Sequence, residues 1–315
     1  MHELSQWGQP PEPHDTLPPC SMVLTSGGLL AAKIASLDGM LYGLVAYVAD
    51  IGAPRYWGTW TRFLGEDWLR TLNLPYHLYA PLIRDRQPGA LVPRLGRIAA
   101  IAPDSIVATR SAQDPVLLAN HAKTLDALAA WTGIHRDKIG IYGSAMYKRA
   151  PEAQDLDIVI YGAAASRRVH ARAAGTIPPR PLNHRHHPHF RVPGHTTVLD
   201  PRYISGEHVI TRALVCGDYT DDGVQPIDGL WVVDAGDGIF FPARYTLSDG
   251  SVLLSYRAGH AGWLRPGDEL AGPPLPVYRR PTRYGDTAGG VRYRVVLECQ
   301  TLSVRRTETE HPESE

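Results

Sequence analysis

Two aspartates near the middle of the chain have the spacing of metal ligands. Asp155 and Asp157 are separated by one residue, and the apolar run Ile158–Tyr161 that follows them is typical of a β-strand. Residues two apart on a strand point to the same side, so the two carboxylates are expected to converge. Paired carboxylates suit Mg²⁺ held against nucleotide phosphates, which makes this pair the leading candidate for chemistry.

A two-metal site of this kind usually takes a third carboxylate from a neighbouring strand, and the sequence offers one downstream. The segment HTTVLDPRY predicts a β-branched strand that ends at Asp200, with Asp218 in reserve as the alternative ligand. We therefore predict that Asp155, Asp157 and Asp200 bind metal and act in catalysis.

A Gly-Ser turn precedes the aspartates and predicts a phosphate-binding segment. The backbone N–H groups and hydroxyl at Gly143 and Ser144 can cradle phosphate oxygens, and Lys148 and Arg149 can supply counter-charge. An Asp-Leu-Asp segment after such a turn can also be a capping arrangement without metal. The strand context and the basic loop favour the catalytic interpretation.

The elements that must position these residues form an α/β pattern. Asp114 and Pro115 predict the start of a helix and Gly133 its end. A strand over 138–142, the turn, the strand from Asp155 and a helix over 163–174 complete the unit. The pattern predicts a compact α/β unit with the carboxylates at the edge of a cleft.

The flanking regions predict β-rich structure, so the predicted fold class is α+β. Residues 55–72 have a loosely helical pattern, whereas 77–85 and 95–102 are predicted strands. Short strands from Glu207 onward, separated by Asp-Gly and Gly-Gly turns, predict an OB-like barrel or a sandwich. The predicted divisions are a disordered tail over 1–20, an α+β module over 21–110, the catalytic unit over 111–204, the C-terminal β domain over 205–304 and a disordered tail over 305–315.

Two further clusters leave their function open. The first is a Pro/His/Arg-rich loop whose prolines disfavour a helix and which has no cysteine or carboxylate at ligand spacing, so an exposed loop is favoured over a zinc site. Its histidines are His184, His186, His187, His189 and His195. A phosphate or nucleic-acid contact is more plausible than zinc, because Arg180, Arg185 and Arg191 lie among the histidines. The second cluster, arginines alternating with tyrosines over 278–294, is typical of single-stranded nucleic-acid surfaces and equally of a solvated sheet face.

Bulk properties exclude several classes of protein. The formal net charge is zero and the pI is near 7.3, which argues against a wholly basic nucleic-acid-binding surface. The three cysteines are scattered, which fits a reducing cytoplasm. The sequence shows neither an apolar leader nor an apolar run long enough to span a bilayer. A cytoplasmic protein without a membrane partner is expected.

The central residues resemble a known signature. Gly143-Ser144, ten intervening residues and then Asp155-Leu156-Asp157-Ile158-Val159 resemble the motif of the DNA polymerase beta-type nucleotidyltransferase superfamily. The chain also resembles the uncharacterised archaeal-type predicted nucleotidyltransferases, which place a β module before the catalytic unit and a β-rich domain with a Phe-x-Pro-x-x-Tyr segment after it. Phe240 to Tyr245, FFPARY, matches that segment.

The resemblance implies a reaction but leaves the acceptor open. It implies Mg²⁺- or Mn²⁺-dependent transfer of a nucleoside monophosphate from an NTP to a hydroxyl or phosphate, with release of pyrophosphate. RNA, tRNA, a protein or a small metabolite could accept the group. The alternative is a non-catalytic protein that binds nucleotide or single-stranded nucleic acid through a degenerate domain of this type.

Overall fold

The computed structural model shows a mixed α+β fold with more residues in strands than in helices. It describes residues 15–49, 59–63, 66–70, 76–89, 91–92, 95–146, 155–174, 189–206, 219–257, 260–280, 290–296 and 302–305. These divide into two compact units, one up to residue 206 and the other from residue 219. No helix in the described ranges is long and apolar enough to cross a membrane. The finer division into three domains stays a prediction.

The first unit begins with a seven-stranded, largely antiparallel sheet. Its strands are β1 (Met22–Thr25), β2 (Leu29–Leu37), β3 (Met40–Ala49), β4 (Thr59–Phe63), β5 (Glu66–Arg70), β6 (Ile98–Ile101) and β7 (Ile106–Arg110). The order is β4-β5-β3-β2-β1-β7, and β6 pairs with β3. One helix, α1 (Tyr76–Arg86), buries Tyr79, Ala80 and Ile83 in the core beneath this sheet.

Two assignments in this region were wrong. The loosely helical stretch over 55–72 contains the antiparallel strands β4 and β5, in which Phe63 pairs with Glu66 across a two-residue connection. The predicted strand over 77–85 is helix α1, although Pro81 lies inside it. The spacing of Tyr79 and Ile83 places both on one helical face, and burial of that face outweighs the hydrogen bond that Pro81 lacks.

The central part of the first unit follows the predicted order. Its elements are α2 (Pro115–Asn120), α3 (Ala122–Thr132), β8 (Ile139–Ile141), β9 (Asp155–Tyr161), α4 (Ala163–Ala174) and β10 (Val198–Ile204). The predicted single helix is broken at His121, whose backbone is not helical. Asp114 caps α2, Gly133 ends α3 in the left-handed conformation and α4 has the predicted bounds, so these three predictions are confirmed.

A three-stranded sheet of order β10-β9-β8 carries the candidate site. Strand β9 runs antiparallel to β8 and parallel to β10. On one face, Tyr203 makes an edge-to-face contact with His170 of α4, at a centroid distance of 5.7 Å. Because side chains alternate along a strand, Asp157 and Asp200 lie on the opposite face. Helix α4 therefore packs on the face of the sheet opposite the carboxylates.

The second unit consists of strands and connecting loops. Its strands are β11 (Thr220–Gln225), β12 (Val232–Asp234), β13 (Ala243–Leu247), β14 (Val252–Ser255), β15 (Glu269–Ala271), β16 (Leu275–Arg279), β17 (Arg292–Val296) and β18 (Ser303–Arg305). Six form a sheet of order β11-β16-β17-β14-β13-β12, while β15 pairs with β18. The described strands do not close into a barrel, so the OB-like alternative finds no support here.

Candidate active site

The turn between β8 and β9 seats the carboxylate of Asp157. Gly143 has a φ of +68°, and a Cβ at this position would lie 2.0 Å from Asp157 Oδ2. The backbone N–H of Ser144 donates a hydrogen bond to the same oxygen, at 3.3 Å. The N–H of Tyr142 donates to the backbone carbonyl of Asp157, at 3.0 Å. Only glycine allows the turn to approach the carboxylate this closely.

Strand β10 brings a second carboxylate beside the first. In the parallel pairing of β9 and β10, Asp200 lies directly opposite Asp157. Residues opposite each other on adjacent strands share a face, so the two side chains are neighbours. Asp155 lies two residues earlier on the same face, at the exposed start of β9, opposite Val198. The sequence-predicted carboxylates thus lie on one face of one sheet.

The position of Asp200 in its strand differs from the prediction. We expected the strand to end at Asp200, whereas β10 begins at Val198 and continues to Ile204. Pro201 did not stop it, because β10 is the outer strand of this sheet, and the described bridge on its other side is made by Leu199 with Phe190 and not by Pro201. Asp200 is therefore near the beginning of β10, level with the beginning of β9.

Like charge and burial perturb the central carboxylate. Burial, as the largest cause, and the neighbouring Asp200 raise the pKa of Asp157 to about 7. The hydrogen bond from the Ser144 N–H opposes this shift, Asp155 adds to it, and Arg202 opposes it. A divalent cation placed at the two carboxylates would relieve their repulsion and restore the charged form of Asp157.

A half-buried arginine that sequence reasoning missed completes the polar face. Arg202 lies two residues after Asp200 on the same side of β10, and its guanidinium stacks 4.5 Å from the centroid of the Tyr142 ring. Burial alone would lower the pKa of Arg202, but Tyr142, Cys20 and Asp200 outweigh burial and raise it. The signal was present in the sequence Asp-Pro-Arg, because a two-residue spacing on a strand places both side chains on one face.

The segment before β1 covers the other end of this face. The Tyr161 hydroxyl donates to the carbonyl of Pro19, at 2.8 Å, and Cys20 is a buried thiol beside Arg202. Burial raises the pKa of Cys20. This thiol is therefore protonated at neutral pH and serves packing rather than nucleophilic chemistry. At the other end of the face Asp155 is exposed among the residues whose positions are described.

The donor set suits a hard cation that is shared with a substrate. Among the residues with described positions, no three Asp, Glu, His or Cys side chains converge on one point in a way that could hold a metal ion. Mg²⁺ is commonly bound by one or two carboxylates together with water and phosphate oxygens. Asp157 and Asp200 fit that pattern, with the remaining positions left to a nucleotide. The three-carboxylate ligand set stays a prediction.

Several predicted contributors lie outside the described residues. Lys148, Arg149 and Asp218 fall in this category. Ser144 is described, and its N–H binds Asp157 directly. In the histidine-rich loop only His189 and His195 are described.

The arginine and tyrosine cluster of the second unit is largely engaged within the fold. Tyr278 and Tyr293 are buried, so their rings are not available for stacking on bases. Arg279 pairs with Asp222 at 2.9 Å. Arg292 and Arg294 both pair with Asp249, at 3.6 and 2.8 Å. Among the described members, these contacts match a structural sheet face better than a nucleic-acid platform. Tyr284 and Arg283 are outside the described ranges.

Comparison with known proteins adds no assignment to this geometry. No protein-family model matches the chain, and no curated protein or solved structure matches it significantly.

Proposed function

We propose that this protein is a Mg²⁺- or Mn²⁺-dependent nucleotidyltransferase whose central unit is of the DNA polymerase beta type. The observation that carries the proposal is the pairing of Asp200 with Asp157 in register on adjacent parallel strands. The two residues are 43 positions apart in the chain and were selected from the sequence as ligands of one site. Their meeting on one face, beside the Gly-Ser turn, supports that role.

The residues have distinct parts in the proposed reaction. Asp157 and Asp200 would hold the cation against the phosphates of an NTP, and Asp155 would stand at the open end, where an acceptor enters. When bound, the cation neutralises phosphate charge and lowers the pKa of the attacking hydroxyl. Gly143 and Ser144 orient Asp157, and Arg202 balances the negative charge of the empty site.

The products of such a reaction are pyrophosphate and an acceptor that carries a nucleoside monophosphate. RNA, tRNA, a protein and a small metabolite remain candidate acceptors. The test is to incubate the purified protein with Mg²⁺ or Mn²⁺, each of the four NTPs labelled at the α-phosphate, and total cellular RNA and protein. Label should appear in one acceptor class. The absence of transfer from every NTP to RNA, protein and metabolite fractions would count against the proposal.

A second candidate is a protein that binds a nucleotide without transferring it. The observation in its favour is that no three described carboxylates converge to hold a metal ion. This candidate predicts saturable, Mg²⁺-dependent binding of an NTP with no release of pyrophosphate. Measuring binding and pyrophosphate in the same sample separates the two candidates.

A further inference from the structure

A depression lies between the end of α3 and the exposed side of α4, behind the carboxylate-bearing face. Its volume is about 570 Å³. Its lining includes two small residues, Ala130 and Ala171, and two arginines, Arg168 and Arg172, which we call its rim. The lining residues are Ala130, Trp131, Thr132, Gly133, Arg168, Ala171 and Arg172.

The rim carries positive charge that is only partly used within the fold. Arg168 Nη1 donates to the carbonyl of Gly133 at 2.8 Å, and Arg172 Nε donates to the carbonyl of Trp131 at 3.3 Å. A guanidinium has five N–H donors, so each arginine retains donors for a ligand. The helix dipole places about half a negative charge at the C-terminus of α3, so the two guanidinium groups leave a net positive charge there.

Carboxylates do not neutralise this rim within the described part of the chain. Helix α4 contains no acidic residue, whereas it carries three arginines. Asp126 on α3 is held by Arg136 at 3.2 Å, and Asp137 is held by His135 at 2.8 Å. The surface at Arg168 and Arg172 is therefore complementary to an anionic partner.

The geometry of the arginines matches a chain of phosphates better than a single ion. Arg168 and Arg172 are four residues apart on α4, which places them one helical turn, about 5.4 Å, apart on the same side. Two arginines at this spacing can each make charge-assisted hydrogen bonds to one of two successive phosphates of a strand.

An aromatic side chain lies beside the arginines. Trp131 lines the depression, and its indole ring packs on Phe190 at a centroid distance of 5.8 Å. This contact fixes the ring before any ligand arrives. Proteins bind single-stranded nucleic acid with basic side chains along the phosphate backbone and with aromatic rings on which the bases stack.

We infer that the depression binds single-stranded nucleic acid, with phosphates at Arg168 and Arg172 and a base at Trp131. This inference goes beyond the proposed function, because binding here requires neither the carboxylates nor transfer. If transfer also occurs, a strand held at this surface is a candidate acceptor. The site lies within the first unit and uses none of the arginines of the second.

The test measures binding of a fluorescently labelled single-stranded oligoribonucleotide by anisotropy, without NTP, at several salt concentrations. Loss of two phosphate contacts should reduce the slope of log K against log salt by about 1.4 in the double variant Arg168→Ala/Arg172→Ala. Its affinity at low salt should fall by roughly 10-fold or more. Trp131→Ala should lower affinity by roughly 10-fold with little change in the salt slope.

The matched control removes the same charge elsewhere on the first unit. Arg167 and Arg191 are exposed and do not line the depression, so Arg167→Ala/Arg191→Ala should bind the strand nearly as the wild-type protein does. Equal losses in the two double variants, or wild-type binding by Arg168→Ala/Arg172→Ala, would overturn the inference. Binding of inorganic phosphate or duplex DNA at this site with no binding of the single strand would also overturn it. Because the assay contains no NTP, a negative result leaves the proposed transfer reaction untouched.

Discussion

Gly143 is constrained both by its backbone conformation and by its contact with Asp157. Its φ of +68° lies in the left-handed region, and a Cβ would meet the Asp157 carboxylate at 2.0 Å. Gly162 provides a matched position, because its φ is +89° and a Cβ there would meet nothing within 4 Å. Comparing substitutions at the two glycines therefore separates the cost of backbone strain from the cost of contact with the carboxylate.

We expect Gly143→Ala to abolish nucleotidyl transfer and to lower the free energy of unfolding by more than Gly162→Ala. Strain at a positive φ should cost about 1 kcal/mol at either site. The Gly143 variant must in addition displace Asp157. Urea denaturation and transfer assays on the two variants check this. Equal effects at the two positions would contradict the close contact.

The raised pKa of Asp157 predicts a pH-dependent contribution to stability. Between the ordinary value of 3.8 and about 7, the folded protein keeps a proton that the unfolded chain has released. The free energy of unfolding should therefore fall as the pH rises through this window.

Asp157→Asn should accordingly be more stable than the wild-type protein at pH 8, with the difference disappearing near pH 4. The expected gain is on the order of 2 kcal/mol, reduced from the full shift because Asp157 is only half-buried. Chemical denaturation in the presence of a metal chelator measures it. Asp155→Asn, at an exposed position, should show a smaller change. A lower stability of Asp157→Asn at pH 8 would disprove the assignment.

At the scale of elements, the start of α2 can be tested directly. Asp114 accepts hydrogen bonds from the N–H groups of Val116 and Leu117, at 2.8 and 3.1 Å. Asp114→Ala should lower the free energy of unfolding by about 1 kcal/mol, whereas Asp114→Asn keeps the acceptor and should cost little. Thermal or chemical denaturation distinguishes the variants. Equal losses would show that charge, and not capping, stabilises the helix.

The pair formed by Asp249 and Arg294 connects the strands of the second unit. Burial alone would raise the pKa of Asp249, but hydrogen bonds from Ser251 and Arg294 outweigh burial and lower it to about 2. The stabilisation that the charged Asp249 gives the folded state is present above pH 3.8 and is lost as the pH falls toward 2. Arg294 itself is buried, so loss of its partner leaves an uncompensated charge.

Asp249→Asn should lower the free energy of unfolding at pH 7 by about 1–2 kcal/mol. The difference from the wild-type protein should vanish near pH 2. Asp234→Asn is the control, because Asp234 is exposed at the end of β12. A deficit that persists unchanged at pH 2 would show that the carboxylate charge is not responsible.

Elements defined by local signals were predictable from the sequence. The cap at Asp114, the left-handed Gly133 and helix α4 each depend on residues close together in the chain. The misassigned helix α1 contains Pro81, a residue that locally argues against a helix. Its burial against a distant sheet decided the outcome, and no local pattern reports that burial.

At the scale of the whole molecule, the candidate site depended on contacts that span the sequence. The pair Asp155 and Asp157 was evident from spacing alone. The neighbour of Asp157 was a choice between Asp200 and Asp218, because register between strands 43 residues apart is set by packing. Arg202 was missed for the same reason. The two-residue spacing places Arg202 on the face of Asp200, but its position near Asp157 depends on the register in which Arg202 lies opposite Val159.

The most direct measurement of the central claim is transfer of α-labelled NTP by Asp200→Asn. We predict at least a 100-fold loss of transfer relative to the wild-type protein, as for Asp157→Asn, because both carboxylates hold the same cation. Circular dichroism and denaturation should show that both variants remain folded. Asp268→Asn, at a buried aspartate of the second unit, should retain transfer. Undiminished transfer by folded Asp200→Asn would contradict the account.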